Sequence, residues 1–431
     1  MLFAMADARR AAVSTLVEIA RRRSTARDVW TGPRDAAETA IVLGVLRRRG
    51  TLDAILRQFC SRRLHLLKPE TLASLRAGVF ELLFLDGSPS YAVVNAAVEN
   101  VKAARRMRDL GLVNAVLRSV LRDVARVEQP TAPVDRHHLG RPGAVWRFKT
   151  AVWPDPGRDP AKYLAARAST AEWIAARRLD ELGFERALHA LEVQASPPPI
   201  RLRVAPGRED DVAAALSAAG VEFERGRLFT LAPQARMSDV LAACGALVAV
   251  QDSVASLVAP FCGVAPGQRA LDLCAAPGGK ATHLAQLGAD VTAWDKDPER
   301  LEKVAENAAR LGLENLSCGE PEGEYDVVLA DVPCSNTGVL ARRPEARWRV
   351  KERHLAGMAE RQLSILRRAA GHVTPSGTLV YSTCSLEREE NRGVVDEFLR
   401  VSGDFGLDEA VTCYPDEHAG DGGFMARLRR V

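Results

Sequence analysis

Ala270-Leu271-Asp272-Leu273-Cys274-Ala275-Ala276-Pro277-Gly278-Gly279-Lys280-Ala281-Thr282 reads as a short apolar strand, a glycine turn and the opening of a helix. Downstream the pattern repeats. Val291–Trp294 ends at Asp295, Val327–Ala330 ends at Asp331, and Thr378–Ser382 runs into Thr383-Cys384. Strands that alternate with helical stretches over the last ~190 residues imply a parallel, doubly wound, Rossmann-like α/β sheet. In such sheets ligands sit at the carboxyl ends of the strands. The motifs fall at those ends, so they are expected to share one crevice.

Each motif has a bland alternative. The turn lacks the phosphate-loop spacing and the full dinucleotide fingerprint. An acidic residue closing the next strand, Asp295, suits a cofactor with a ribose and no pyrophosphate, and S-adenosylmethionine (AdoMet) fits. The alternative is a tight strand–helix turn with Asp295 as a cap. In Asp331-Val332-Pro333-Cys334-Ser335 a carboxylate and a thiol stand three residues apart; Tyr381-Ser382-Thr383-Cys384-Ser385 supplies a second thiol. Either cysteine alone reads equally as packed core, since free Cys is commonly buried. Together with an AdoMet-type turn they match the needs of methylation at cytosine C5. A thiolate adds to C6, an acid near N3 stabilises the charge, and a base then removes the C5 proton so that the thiol can leave.

The 431 residues are 47% hydrophobic and 26% charged, an ordinary globular composition with room for two or three domains. No apolar run approaches the ~18 residues of a membrane span. The eight cysteines form no C-x-x-C pair or zinc-spaced cluster, so no metal is expected and a reducing, cytoplasmic setting is. Residues 1–126 carry 22 Lys and Arg against 12 Asp and Glu, a net +10, which leaves −6 for the rest of a chain whose total is +4. That asymmetry suits a polyanionic partner, or equally an Arg-rich solvated face.

Four segments are expected. Residues 1–126 are an all-α bundle, with apolar stripes such as Leu75, Val79 and Leu83 or Val113, Val116, Leu117 and Val120. Residues 127–168 are a Pro-rich linker, with any order centred on Trp146 and Trp153. Residues 169–235 are a small α+β connecting module that includes the strand Ile200–Val204. Residues 236–431 are the Rossmann-like domain.

At these motifs the chain resembles the bacterial 16S ribosomal RNA cytosine-5 methyltransferases of the RsmB/Sun type, in the wider Nol/Nop/Sun family. Asn95, Glu99 and Asn114 stand where the family's NusB-like RNA-binding domain has its signature. Gln251-Asp252, Cys274 to Lys280, Gly338-Val339-Leu340, Arg343 to Trp348 and Asp421-Gly422-Gly423-Phe424 continue the pattern. The resemblance implies small-subunit ribosomal RNA as partner, action as a monomer, AdoMet as cofactor, Cys384 as nucleophile and Cys334 as the thiol that assists release. It places Asp331 on the cytosine or the methionine end of the cofactor and Lys280 beside the ring. Cofactor contacts are expected from Cys274, Ala275, Ala276, Pro277, Gly278, Gly279, Lys280, Asp295, Asp331 and Glu320, the last in place of the usual Asp. Asn336 replaces the family's glycine, in a turn whose left-handed backbone Asn tolerates. Rival readings are another RNA such as tRNA, a DNA or small-molecule methyltransferase, a thiol redox protein and a non-catalytic RNA-binding assembly factor.

Overall fold

The computed structural model describes residues 2–30, 35–129, 131–418 and 420–431. It divides into two compact units, Met1–Pro197 and Pro198–Val431.

The first unit opens with the helices Leu2–Arg22, Ala36–Phe59, Pro69–Phe84, Ser90–Ala103 and Leu110–Asp123. Local signals set their starts. Asp35 caps its helix by accepting from the Ala37 and Glu38 amides, and Pro69 occupies a first turn where its missing N–H costs nothing. Leu75, Val79, Leu83, Val113, Val116, Leu117 and Val120 are all buried, so the expected stripes do face a core.

The stretch read as a linker is ordered. It holds β1 (Val124–Val127), β2 (His138–Arg141) and β3 (Ala144–Phe148), antiparallel in the order β1-β3-β2. The described prolines of this stretch lie outside the strands, where no ladder N–H is needed. Phe148 and Trp153 are buried, Trp146 Nε1 donates to the Leu83 carbonyl at 2.9 Å, and Trp153 Nε1 donates to His138 O at 2.8 Å. Burial of aromatic side chains with satisfied N–H groups outweighs the breaker signal of the prolines. The helices Pro160–Arg167, Glu172–Leu182 and Phe184–Gln194 complete this unit.

In the second unit, β4 (Arg201–Val204), β5 (Phe223–Glu224), β6 (Phe229–Leu231) and β7 (Val248–Val250) form a sheet in the order β5-β6-β4-β7. Val240, Cys244 and Val248 share a buried cluster with Leu202, Leu216 and Phe229. This layer therefore runs past the break expected at residue 235.

The large sheet contains β8 (Arg269–Asp272), β9 (Asp290–Ala293), β10 (Leu316–Cys318), β11 (Tyr325–Asp331), β12 (Val373–Thr383), β13 (Phe405–Cys413) and β14 (Gly423–Arg430). Its order is β10-β9-β8-β11-β12-β14-β13; the first five strands are parallel and β14 and β13 form an antiparallel hairpin. Both faces are covered, which is why the central strands read as unbroken apolar runs. Along β11, Val327 and Leu329 pack against the helices Ala255–Cys262 and Ala281–Gln286. Val328 and Ala330 face the helices Leu355–Ala370 and Arg392–Val401. The order in which strands are added reverses between β8 and β11, the switch point at which ligands bind.

Candidate active site

Register delivers the site. Leu329 pairs with Asp272 across β11 and β8, and Asp331 pairs with Ser382 across β11 and β12. Asp331 and Ser382 therefore end their strands side by side, and Cys334 and Cys384 follow three and two residues later. The two sulfurs lie 3.1 Å apart.

Asp331 is held from both sides. Lys280 Nζ donates to its Oδ2 at 2.5 Å and Ser382 Oγ donates to its Oδ1 at 2.5 Å. Burial pulls the Lys280 ammonium down, but the charge and hydrogen bond of Asp331 outweigh it, with Cys384 adding to the effect. Lys280 is thus held above its ordinary range and stays cationic.

Cys334 is buried. The hydrogen bond from Cys384, then burial and the charges of Cys384 and Glu390, push its thiol well above the ordinary value. The Cys334 thiol is thereby held in its protonated form. Asn336 joins the pair: its Nδ2 donates to the Cys334 carbonyl at 2.8 Å, and Cys384 Sγ donates to its Oδ1 at 3.3 Å. Its φ of +63° is the left-handed conformation expected for it. Gly338 follows because nothing larger fits. Its N–H donates to Cys384 O at 2.9 Å, and a Cβ there would collide with Gly422 O and stand 2.8 Å from Cys384 O.

The glycine turn sits at the end of β8. Gly278 has φ +102°, and the open side of Gly279 has no atom closer to a built Cβ than the Gln251 amide at 3.8 Å. Ala276 N donates to Asp295 Oδ2 at 3.2 Å and Asp297 N to Asp295 Oδ1 at 3.1 Å, so Asp295 is fixed beside the turn. Cys274 to Gly279 line the same turn; burial pushes the Cys274 thiol up to about 12, so it is inert. Asp272 accepts from Cys274 N at 3.4 Å, but its Oδ2 is buried without a partner. Burial first, then the charge of Asp331, raises its carboxyl to about 7. An unpartnered buried carboxylate oxygen beside an open glycine turn fits the ammonium of AdoMet, and Asp295 fits its ribose.

The cluster does not include Glu320. It is exposed beyond β10, with its carboxylate 3.5 Å from Arg368, and makes no contact with these groups in the structure. Sequence reasoning also passed over several groups. Arg203, on β4, donates to Gly279 O and Gln251 Oε1 at 2.7 Å each, to Gln286 Oε1 at 2.8 Å and to Thr282 Oγ1 at 3.0 Å. Gln251 Nε2 also reaches Gly279 O, at 3.0 Å. The alternation of apolar and Arg in Ile200–Val204 placed Arg203 on a strand but not on the turn. Arg342 bonds Asp252 at 2.7 Å and Asp421 at 2.9 Å, which ties together two of the motifs noted above. Among the described residues no group of three or more His, Cys, Asp or Glu could hold a metal ion, and no helix is long and apolar enough to cross a membrane.

A sheet of parallel strands closed by an antiparallel hairpin, with a glycine turn at its switch point and an acidic residue ending the next strand, defines an AdoMet-dependent methyltransferase. The comparisons agree. The model of the 16S rRNA methyltransferase RsmB/F family matches residues 262–429, and that of the NusB family matches residues 6–122. The probable ribosomal RNA small subunit methyltransferase B of Bacillus subtilis is 31% identical over 385 residues, covering 85% of this chain and 80% of its own. The ribosomal RNA small subunit methyltransferase B of Salmonella newport is 31% identical over 419 residues, covering 90% and 89%. A solved methyltransferase homologue from Pyrococcus horikoshii superposes at TM-score 0.55 with 26% identity, over 64% of this chain and all of that one. The chain belongs to the RsmB/F methyltransferase family and carries a NusB domain at its N-terminal side.

Proposed function

We propose that the chain methylates C5 of a cytosine in small-subunit ribosomal RNA through a covalent bond between Cys384 Sγ and C6 of the base. The observation that carries this reading is the pair of sulfurs 3.1 Å apart beside the Lys280–Asp331 pair. AdoMet, when bound, supplies the methyl group as a sulfonium electrophile.

The rest is done by the chain's own residues. Cys334 holds its proton, which leaves Cys384 as the sulfur available to add to C6. The S–C6 bond forms as the C5–C6 double bond opens, and negative charge spreads over the ring. Lys280, kept cationic by Asp331, stabilises that charge, and the Asp331 carboxylate can accept a hydrogen bond from the exocyclic amine of the base. After C5 is methylated its proton must go before the S–C6 bond can break. The Cys384 sulfur is then bonded to carbon, so the hydrogen bond and charge that raised Cys334 are gone. Cys334 then gives its own proton to water and, as the thiolate, takes the C5 proton; the C5–H electrons form the C5–C6 double bond and the C6–S electrons return to the sulfur of Cys384. The base must be unstacked to reach this crevice. The +10 charge of residues 1–126 suits binding to RNA phosphates, and base contacts near the crevice choose the target.

The test uses purified protein, AdoMet and small-subunit ribosomal RNA, with denaturing gels for adducts and nucleoside analysis for product. Cys384→Ala should give neither adduct nor 5-methylcytosine, and Cys334→Ala should accumulate a stable adduct. Activity retained in Cys384→Ala with no adduct in Cys334→Ala would reverse the assignment. Product on tRNA alone would move the substrate.

A further inference from the structure

Glu390 lies in the 3₁₀ turn Arg388–Glu390, six residues after Cys384, and is fully buried. Its Oε1 accepts from Ser335 N at 2.8 Å and from Gln362 Nε2 at 2.9 Å. Its Oε2 accepts from Ser385 Oγ at 2.5 Å and from Ser335 Oγ. An ionised carboxylate offers about four acceptor sites, and four donors fill them. None of the four is a cation, so this is a buried carboxylate held by neutral groups. A carboxylate placed this way is costly unless fully hydrogen-bonded, and here it is.

Three of the four donors come from two loops, and Gln362 comes from the helix Leu355–Ala370. Ser335 follows Cys334 and Ser385 follows Cys384, so one carboxylate grips the residue next to each sulfur. Gln362 Nε2 extends the grip to Pro333 O at 3.0 Å, on the other side of Cys334. The two strands are paired up to Asp331 and Ser382. Past their ends, this carboxylate joins the Ser335–Ser385 hydroxyl contact at 3.0 Å, the Leu386 N–H to Thr337 Oγ1 bond at 3.0 Å and the Gly338 N–H to Cys384 O bond at 2.9 Å in setting the spacing of the two loops, and it holds the residue next to each sulfur at once.

We propose that Glu390 is a positioning residue that fixes the Cys334 and Cys384 sulfurs at their working separation. Its catalytic meaning rests on the thiol mechanism proposed above; its geometric meaning does not. Glu390 touches neither substrate nor cofactor and acts through Ser335 and Ser385. Its charge also adds to the groups that keep the proton on Cys334.

The test reads the sulfur separation directly. Diamide takes two electrons and two protons from a close thiol pair, forming the S–S bond and becoming a hydrazine. The rate at which it joins Cys334 to Cys384, followed by mass spectrometry, is a ruler that needs no RNA. In Glu390→Ala this rate should fall by about tenfold or more, since displacements near 1 Å have effects of that size or larger. AdoMet affinity by calorimetry should stay within about twofold. Single-turnover methyl transfer should fall in step, in kcat rather than in KM. If Glu390→Ala fails to bind AdoMet, the conservative variant Glu390→Gln, which keeps the shape but replaces two acceptor sites by an NH2, decides the question by the same ruler. A folded, AdoMet-binding variant that cross-links at the wild-type rate overturns the proposal. A changed ruler in a protein that methylates no cytosine would leave the positioning role standing and sink the catalytic reading instead.

Discussion

Arg203→Met tests whether a buried guanidinium serves the fold or the cofactor turn. Arg203 is buried and makes four hydrogen bonds without a carboxylate among those partners. Burial, with a smaller contribution from Arg310, lowers it from 12.5 to about 10, an unfavourable term of roughly 3 kcal/mol. Methionine removes that term. The acceptors left behind fare differently. Gly279 O keeps Gln251 Nε2, Thr282 Oγ1 still donates to Gly278 O at 2.7 Å, and Gln286 is half-buried and can turn to water. Gln251 Oε1, on a buried side chain, is the acceptor that is orphaned, at about 1–3 kcal/mol. The two terms nearly cancel, so the melting temperature should move by no more than about 5 °C. The turn is another matter. Gly279 O loses the shortest of its three tethers; of the two that remain, one comes from a Gln251 that has itself been loosened and the other is the longer contact from Thr282 Oγ1 at 3.4 Å. AdoMet affinity by titration calorimetry should fall by about tenfold, equivalent to one lost hydrogen bond of roughly 1.4 kcal/mol. An unchanged affinity would refute the idea that Arg203 shapes the turn. A fall in melting temperature far beyond 5 °C would show that its bonds outweigh its burial.

Two further predictions concern the same crevice. A carboxyl raised to about 7 contributes stability that is full below about 3.8 and lost as pH rises through 7. The difference in melting temperature between the ligand-free wild type and Asp272→Asn should therefore shift between pH 4 and 8, by up to about 4 kcal/mol in stability. Near pH 6.5 AdoMet binding should release a proton in the wild type but not in the variant, as read by calorimetry in buffers of different ionisation enthalpy. Gly278→Ala puts a Cβ on a backbone of φ +102° and 3.2 Å from Val304 Cγ1. The strain and overpacking sum to roughly 2–4 kcal/mol, so AdoMet affinity should drop by at least about tenfold, whereas Gly279→Ala should leave the melting temperature unchanged.

Much of this molecule could be read before the structure. Strand, turn and helix at Ala270–Thr282 fixed the sheet class, and strand-end placement alone predicted that Lys280, Asp331, Cys334 and Cys384 would meet. Asn336 was legible because few residue types accept a left-handed turn. The ordered sheet at Val124–Phe148 was not, because proline signals a local break while the burial of Phe148 and Trp153 is a tertiary fact. Arg203 and Glu390 were missed for a related reason. Hydrophobic period reports which face is buried but not where a buried polar atom finds its partner. Arg203 reaches Gly279 across 76 positions and Glu390 reaches Ser335 across 55. Glu320, expected at the adenine from its place in the order of motifs, has an exposed side chain paired with Arg368.

The contact of Gly338 with Cys384 and Gly422 has a consequence in time. Gly422 N donates to Gly338 O at 2.8 Å, and a Cβ on Gly423 would stand 2.6 Å from Thr383 O. The wall behind Cys384 is thus made of backbone synthesised some 38 residues after it. A growing chain that has already released both cysteines from the ribosome still lacks the surface that seats them. The seat of the two cysteines is completed only once residues 422 and 423 are in place, so chains truncated before residue 422 should show slower joining of Cys334 to Cys384 by diamide than the full chain.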